Sequence, residues 1–141
     1  MSKFDFNSYC MEQLINYVPE INDPNEELGK RYQEYIDYYK EILVYLIYED
    51  ILCPYFMDIV KQSDSYSQDT AKRIAKLIDH LLRHKDFNVQ CVADVGFLEK
   101  LVHDMKPRKD LEKYLLPYSL EIARKVGKTM YGLNPRTWEK T

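Results

Sequence analysis

Residues 70–84 read TAKRIAKLIDHLLRH, and this stretch determines the fold class of the chain. Ile74, Ile78 and Leu81 recur at the spacing of an α-helix, so that they share one apolar face. The same face is widened by three further apolar residues, Ala71, Leu77 and Leu82. The pattern predicts an amphipathic helix over 70–84, with Asp69 as its N-cap.

The same periodicity continues on both sides of this stretch, and clean strand alternation is hard to find. The further predicted helices cover 6–17, 24–39 (capped by Asp23), 41–62, 89–105 and 109–130. Two of them contain a proline in their interior, where it removes a backbone hydrogen bond and clashes with the preceding turn. We therefore expect Pro54 to cause a kink or break near 51–53, and Pro117 to kink the last helix.

These elements predict an all-α protein of five to seven helices, joined by short links into antiparallel hairpins. Because no repeat of fixed period is visible, an irregular bundle and a short HEAT-like α-solenoid both remain open. At 141 residues the chain fits a single domain. We expect that domain to cover 1–132, followed by a C-terminal tail over 133–141 that contains Trp138.

Composition excludes several classes of protein. Hydrophobic residues make up 45% of the chain, charged residues 30%, and there are 4 glycines, which argues against disorder and against a turn-rich β fold. No run approaches the ~20 apolar residues of a membrane span, and residues 1–7 do not resemble a signal peptide. We therefore expect a cytoplasmic protein with no membrane partner. The three cysteines, Cys10, Cys53 and Cys91, fit reduced, inert thiols.

Charge is distributed unevenly along the chain. Residues 1–70 hold 14 acidic and 5 basic side chains, a net charge of −9, whereas residues 71–141 hold 9 and 15, a net charge of +6. The basic half raises the question of nucleic-acid binding. The isoelectric point of about 5.6 and the lack of a recognised binding motif argue against it.

Tyrosine is in excess, with 13 residues in the chain, and it is concentrated in the acidic half. Glu34, Asp37 and Glu41 have the i, i+3, i+7 spacing of an acidic ridge, and Tyr35 and Tyr38 lie between them. Tyrosine provides contact area at low entropic cost and is enriched in protein interfaces. We therefore predict that these five residues bind a basic protein partner. The alternative is that the tyrosine rings fill the core and only their hydroxyls reach the surface.

The histidines suggest a different kind of functional site, one that binds a metal ion. His80 and His84 are four residues apart on a predicted helix, a spacing that can place two imidazoles on one metal ion. The glutamate of a His-Glu-x-x-His motif is missing between them, and the one further histidine is His103. We predict solvent-facing histidines near a helix end and no cofactor.

Two short segments carry a resemblance to known families. They are Pro54-Tyr55-Phe56, which closes an aromatic helix, and Val95-Gly96-Phe97-Leu98-Glu99-Lys100-Leu101 in a later one. Their order along the chain resembles small uncharacterised bacterial helical families, some of whose members are similar to immunity proteins encoded beside secreted toxins. The resemblance implies a bacterial, non-enzymatic protein that binds a protein partner. It assigns no functional residue.

Three hypotheses follow from the sequence. The first is a protein-binding module, with an immunity-like role implied by the resemblance, that uses its acidic, tyrosine-rich face. The second is a small helical enzyme or ligand-binding protein with a pocket between helices. The third is a self-associating protein, such as a homodimer, in which acidic and basic halves attract each other.

Overall fold

The computed structural model describes residues 3–141 and is built from α-helices, which confirms the predicted fold class. Met1 and Ser2, which belong to the predicted domain 1–132, lie outside the described residues. In the described part of the chain there are seven helices. They are α1 (Phe6–Tyr17), α2 (Glu27–Tyr39), α3 (44–59), α4 (Ser65–Leu82), α5 (87–104), α6 (Leu111–Tyr114) and α7 (Pro117–Tyr131).

Helix α4 lies at the centre of the fold. Ten of its 18 residues are buried, and it packs against α1, α3, α5, α6 and α7. It begins earlier than predicted, because the side chain of Asp64 accepts a hydrogen bond from the Ser67 amide at 2.9 Å and acts as the N-cap. Asp69, the predicted cap, lies inside the helix and pairs with Arg73 at 2.9 Å.

Helices α3 and α5 each contain a π-helical segment, Ile47–Leu52 and Asp94–Leu98, and the two segments pack against each other. The first segment directly precedes the turn that holds Pro54. A proline has no amide hydrogen to donate, and the hydrogen-bond register shifts before it. The predicted kink or break near 51–53 is therefore replaced by a π-helical segment inside an unbroken helix. The second segment contains no proline, and the sequence pattern does not predict it.

The chain between α1 and α2 crosses close to α2. Asp23 was expected to cap a helix at Pro24, but α2 begins at Glu27, and the Asp23 side chain instead accepts a hydrogen bond from the Asn25 amide at 2.9 Å. The Asp23 carbonyl oxygen then lies 1.8 Å from where a Cβ atom at Gly29 would be placed. Glycine at this position is therefore required by the close approach of two backbone segments.

Pro117 separates two helices instead of kinking one, which corrects the predicted helix over 109–130. It is the first residue of α7, and Leu116 before it has an extended backbone. Proline disfavours the helical conformation in the residue that precedes it, and it is well tolerated at the first helical position. Both α6 and α7 pack against α4.

The segment 133–141 is not a free tail. Trp138 is 5% exposed and Leu133 is 3% exposed, so both side chains join the core. The Trp138 indole donates a hydrogen bond to Glu112 at 3.3 Å, and Leu133 and Lys140 form an isolated antiparallel bridge. Buried tryptophans anchor chain segments strongly because of their large apolar area.

One tertiary ion pair joins the acidic and basic halves within residues 3–141. Arg73 on α4 binds Glu20, whose side chain is 12% exposed, and the Thr70 hydroxyl is also within hydrogen-bond distance of this carboxylate. Burial by itself would raise the pKa of Glu20. Hydrogen bonds from the Arg73 side chain, the Glu20 backbone amide and the Thr70 hydroxyl, together with the arginine charge, hold this pKa below its ordinary value. The charge asymmetry is therefore only slightly neutralised within the fold.

Replacing Gly29 with alanine should destabilise the protein by about 3 kcal/mol or more, because the added Cβ would collide with backbone atoms that cannot rotate away. Gly96→Ala is the matched control. An alanine Cβ there would meet its nearest neighbours at 3.5 Å, an ordinary contact, so it should change stability by less than about 1 kcal/mol. Urea unfolding measures both, and equal midpoints for the two variants would contradict the close approach at Gly29.

The lowered pKa of Glu20 predicts acid sensitivity. A carboxylate with a lower pKa in the folded state stabilises the fold above its unfolded pKa, and this contribution is lost as the pH falls through the folded value. Glu20→Gln should therefore reduce stability near neutral pH by about 1–3 kcal/mol and flatten the loss of stability between about pH 5 and pH 3. Glu12→Gln, at an exposed carboxylate, is the control. If the free energy of unfolding fell with pH equally steeply in wild type and in Glu20→Gln, the prediction would be contradicted.

Candidate functional site

Tyr35 positions the predicted binding residues and is not itself exposed. Its side chain is 7% exposed, because it lies seven residues after the buried Leu28 on the inner face of α2. Its hydroxyl accepts a hydrogen bond from the Leu43 amide at 2.9 Å and donates one to the Leu43 carbonyl at 3.3 Å. The prediction that Tyr35 contacts a partner is therefore corrected, since this side chain ties the end of α2 to the loop that follows.

The acidic ridge does not continue along a single helix. Glu34 and Asp37 are exposed on α2, but Lys40 adopts a left-handed conformation with φ of 62° and ends the helix. Glu41 therefore lies in the loop 40–43, where it is also exposed. The prediction that all three carboxylates lie on one helical ridge is therefore wrong for Glu41, which lies outside the helix.

Exposed aromatic and apolar side chains lie beside these carboxylates. Tyr38 is 80% exposed and Tyr39 is 42% exposed, and their rings meet edge to face with centroids 4.8 Å apart. Ile42 and Leu43, expected inside a helix over 41–62, are 45% and 36% exposed. We call the following set the acidic aromatic surface: Glu34, Asp37, Tyr38, Tyr39, Glu41, Ile42 and Leu43.

The carboxylates of this surface are not neutralised within the part of the chain that the structure describes. No salt bridge there involves Glu34, Asp37 or Glu41, although the Gln33 amide donates a hydrogen bond to Asp37 at 2.9 Å. Between residues 34 and 43 the one basic residue is Lys40. The surface therefore combines apolar contact area with carboxylates that are free to accept hydrogen bonds from lysine or arginine.

His80 and His84 belong to an aromatic cluster at the junction of α1 and α4. The Tyr9 hydroxyl and the His80 Nε2 atom lie 3.0 Å apart, and the Tyr9 and His84 rings have centroids 4.7 Å apart. Phe4 stacks on His84 at 5.5 Å. Residues 3–141 contain no group of three or more side chains arranged to hold a metal ion.

Two of the three cysteines, Cys10 and Cys53, are buried, and Cys91 is partly buried. Burial raises the pKa of the Cys10 thiol to about 12 and also raises that of Cys53, so neither forms a thiolate readily. The Cys53 Sγ atom lies 3.6 Å from the Phe97 carbonyl oxygen, to which it donates a weak hydrogen bond. These two thiols are part of the core.

A cavity of about 560 Å³ lies beside the two π-helical segments. It is lined by Glu49, Val95, Glu99, Lys100, His103, Asp104 and Tyr131. Burial raises the pKa of Glu99, and the negative charges of Asp94 and Glu49 raise it further. Burial also raises the pKa of Asp94, whose Oδ1 atom has no hydrogen-bond partner within residues 3–141. The cluster is not visible in the sequence, because its residues come from α3, α5 and α7.

The structure describes no helix that is both long enough and apolar enough to cross a membrane. The family described as "Domain of unknown function (DUF7674)" matches residues 11–132, which includes α2 and the acidic aromatic surface. The chain belongs to this family. Comparisons with curated proteins and with solved structures gave no match.

Tyr35→Phe should destabilise the protein by about 1–3 kcal/mol, because the Leu43 amide loses its acceptor. Tyr38→Phe is the matched control and should change stability by less than about 0.5 kcal/mol, since this side chain is 80% exposed. Urea unfolding measures the stability, and hydrogen exchange should show faster exchange of the Leu43 amide in Tyr35→Phe alone. Unchanged exchange at Leu43 would mean that the tyrosine hydroxyl does not hold the loop.

Proposed function

We propose that this protein is a protein-binding module that binds a basic protein partner through the acidic aromatic surface. The observation that carries the proposal is the position of exposed Tyr38, Tyr39 and Ile42 beside three carboxylates that have no ion-pair partner in residues 3–141. Exposed apolar groups rimmed by polar side chains are typical of protein interaction sites.

The two kinds of side chain have different roles in binding. Tyr38 and Tyr39 supply ring area that a partner can bury, and tyrosine is among the residues that carry most of the energy of an interface. Glu34, Asp37 and Glu41 attract a basic partner and increase the rate of association, an effect that salt weakens. The partner therefore combines an apolar patch with lysine or arginine.

The surface is held in a defined shape before binding. The two hydrogen bonds between Tyr35 and Leu43 fix the loop, and the Tyr35 and Tyr39 rings lie 4.8 Å apart. A preformed surface loses less conformational entropy on binding, which supports affinity.

The immunity-like role implied by the resemblance stays a prediction, as do the cytoplasmic location and the bacterial source. An immunity-like role specifies that the basic partner is a toxin. It predicts that co-expression of this protein protects a cell from the toxin, and that the acidic aromatic surface is needed for protection.

The partner can be captured through the surface itself. A photo-crosslinking amino acid at position 38 in the full chain should link to a basic protein in cells of the source organism, whereas the same amino acid at Tyr118, which is 38% exposed on α7, should not. A product that links this chain to a second copy of itself would favour the homodimer hypothesis and overturn the present proposal.

Affinity measurements with the captured, purified partner test the assignment of residues. Tyr38→Ala should weaken binding about 30-fold, as expected for a central interface tyrosine. Combined charge reversal at Glu34, Asp37 and Glu41 should slow association and abolish most of its salt dependence. Glu121→Lys, at a carboxylate on α7 whose side chain is 66% exposed, is the control. If the triple reversal left association rate and salt dependence unchanged, the acidic aromatic surface would not be the binding site.

A further inference from the structure

Three basic side chains converge on a second cavity, of about 610 Å³, near the C-terminal end of α5. The cavity is lined by His103, Lys106, Arg108, Met130, Tyr131 and Lys140. It shares His103 and Tyr131 with the carboxylate-lined cavity described above, but its other charged side chains are all basic.

Separate parts of the fold bring these cations together. Arg108 is held by the end of α5, because its Nε atom donates a hydrogen bond to the Val102 carbonyl at 2.5 Å. Lys140 arrives from the C-terminal segment, which the buried Trp138 and the bridge between Leu133 and Lys140 fold back onto the domain. The position of this segment thus completes the cavity.

The positive charges of the cavity are poorly compensated. Within residues 3–141, none of Lys106, Arg108 and Lys140 forms a salt bridge, and the neighbouring carboxylate of Asp104 contacts His103 at 2.6 Å and Lys100 at 3.5 Å. Burial lowers the pKa of Lys106, and the charges of Arg108 and Lys140 lower it further against the opposing effect of Asp104. An anion in the cavity would relieve this repulsion.

Beside the cations there is a wall that suits an organic group. The His103 and Tyr131 rings have centroids 5.2 Å apart and are inclined at 51°, and Met130 is 52% exposed. A cavity of this volume lies within the range that accommodates a small organic ligand.

We propose that this cavity binds the phosphate group of a small molecule, with Lys106, Arg108 and Lys140 as its ligands. Arg108 is suited to this task because its Nε and Nη2 atoms donate hydrogen bonds to the Val102 and His103 carbonyls, which orients the guanidinium. Within residues 3–141 its Nη1 atom has no hydrogen-bond partner. Lysine ammonium groups add compact positive charge around the phosphate oxygens. The phosphate can be the free anion or the ester of an organic molecule that also contacts the ring wall.

Calorimetric titration of the full chain with inorganic phosphate, adenosine monophosphate and adenosine tests the proposal. We expect both phosphate-bearing probes to bind and adenosine to bind at least about tenfold more weakly than adenosine monophosphate. Tighter binding of the nucleotide than of inorganic phosphate assigns the site to an organic ester, and equal binding assigns it to the free anion. Raising the salt from about 50 mM to about 500 mM should weaken both.

Lys106→Gln and Lys140→Gln should each weaken binding of the phosphate-bearing probe about tenfold. Lys109→Gln is the matched control, since it removes an exposed lysine from the same connection without touching the cavity. Urea unfolding confirms that the variants are folded. The proposal is overturned if no phosphate-bearing probe binds at about 10 mM, if adenosine binds as well as its monophosphate, or if Lys106→Gln and Lys140→Gln both bind the phosphate-bearing probe like wild type.

Discussion

Helix α4 is buried on several sides, and the places of the other helices follow from this burial. Five other helices pack against it, so its apolar residues cannot form one narrow stripe, and ten of its 18 residues are buried. The polar groups that enter this packing are paired. The Ser119 hydroxyl donates a hydrogen bond to Asp79 at 2.9 Å, and Arg73 carries the ion pair to Glu20. A buried polar group without a partner would cost about 1–3 kcal/mol, so these contacts fix where α7 and the α1–α2 connection dock.

The two surfaces proposed for binding result from the same packing. Helix α2 uses Leu28 and Tyr35 to reach the core, which turns Glu34, Asp37 and Tyr38 towards solvent. The C-terminal segment uses Leu133 and Trp138 in the same way, and it thereby brings Lys140 to the cavity near α5. In both cases the buried residues of a short segment determine where its charged residues lie.

Periodicity and proline placement predicted much of the fold, and local backbone conformation accounts for most of the errors. The bounds of α1, 6–17, were predicted correctly, and Pro54 marked the disruption in α3. The end of α2 was missed because Lys40, with no glycine or proline beside it, adopts a left-handed conformation that the sequence pattern does not reveal. Asp69 was predicted to cap α4, whereas the cap is Asp64, because the helix begins at Ser65 and not at residue 70. The meeting of Lys106, Arg108 and Lys140 depends on tertiary packing and leaves no pattern in the sequence.

The indole of Trp138 has an optical consequence. It is the single tryptophan of the chain, it is 5% exposed, and it lies two residues before Lys140. Intrinsic fluorescence excited at the indole band therefore arises from one place in the molecule, and its emission maximum shifts to longer wavelength when water reaches the ring. Detachment of the C-terminal segment can thus be followed without a label, separately from unfolding of the helical core. The 13 tyrosines, spread over the other elements, provide a second signal for that core.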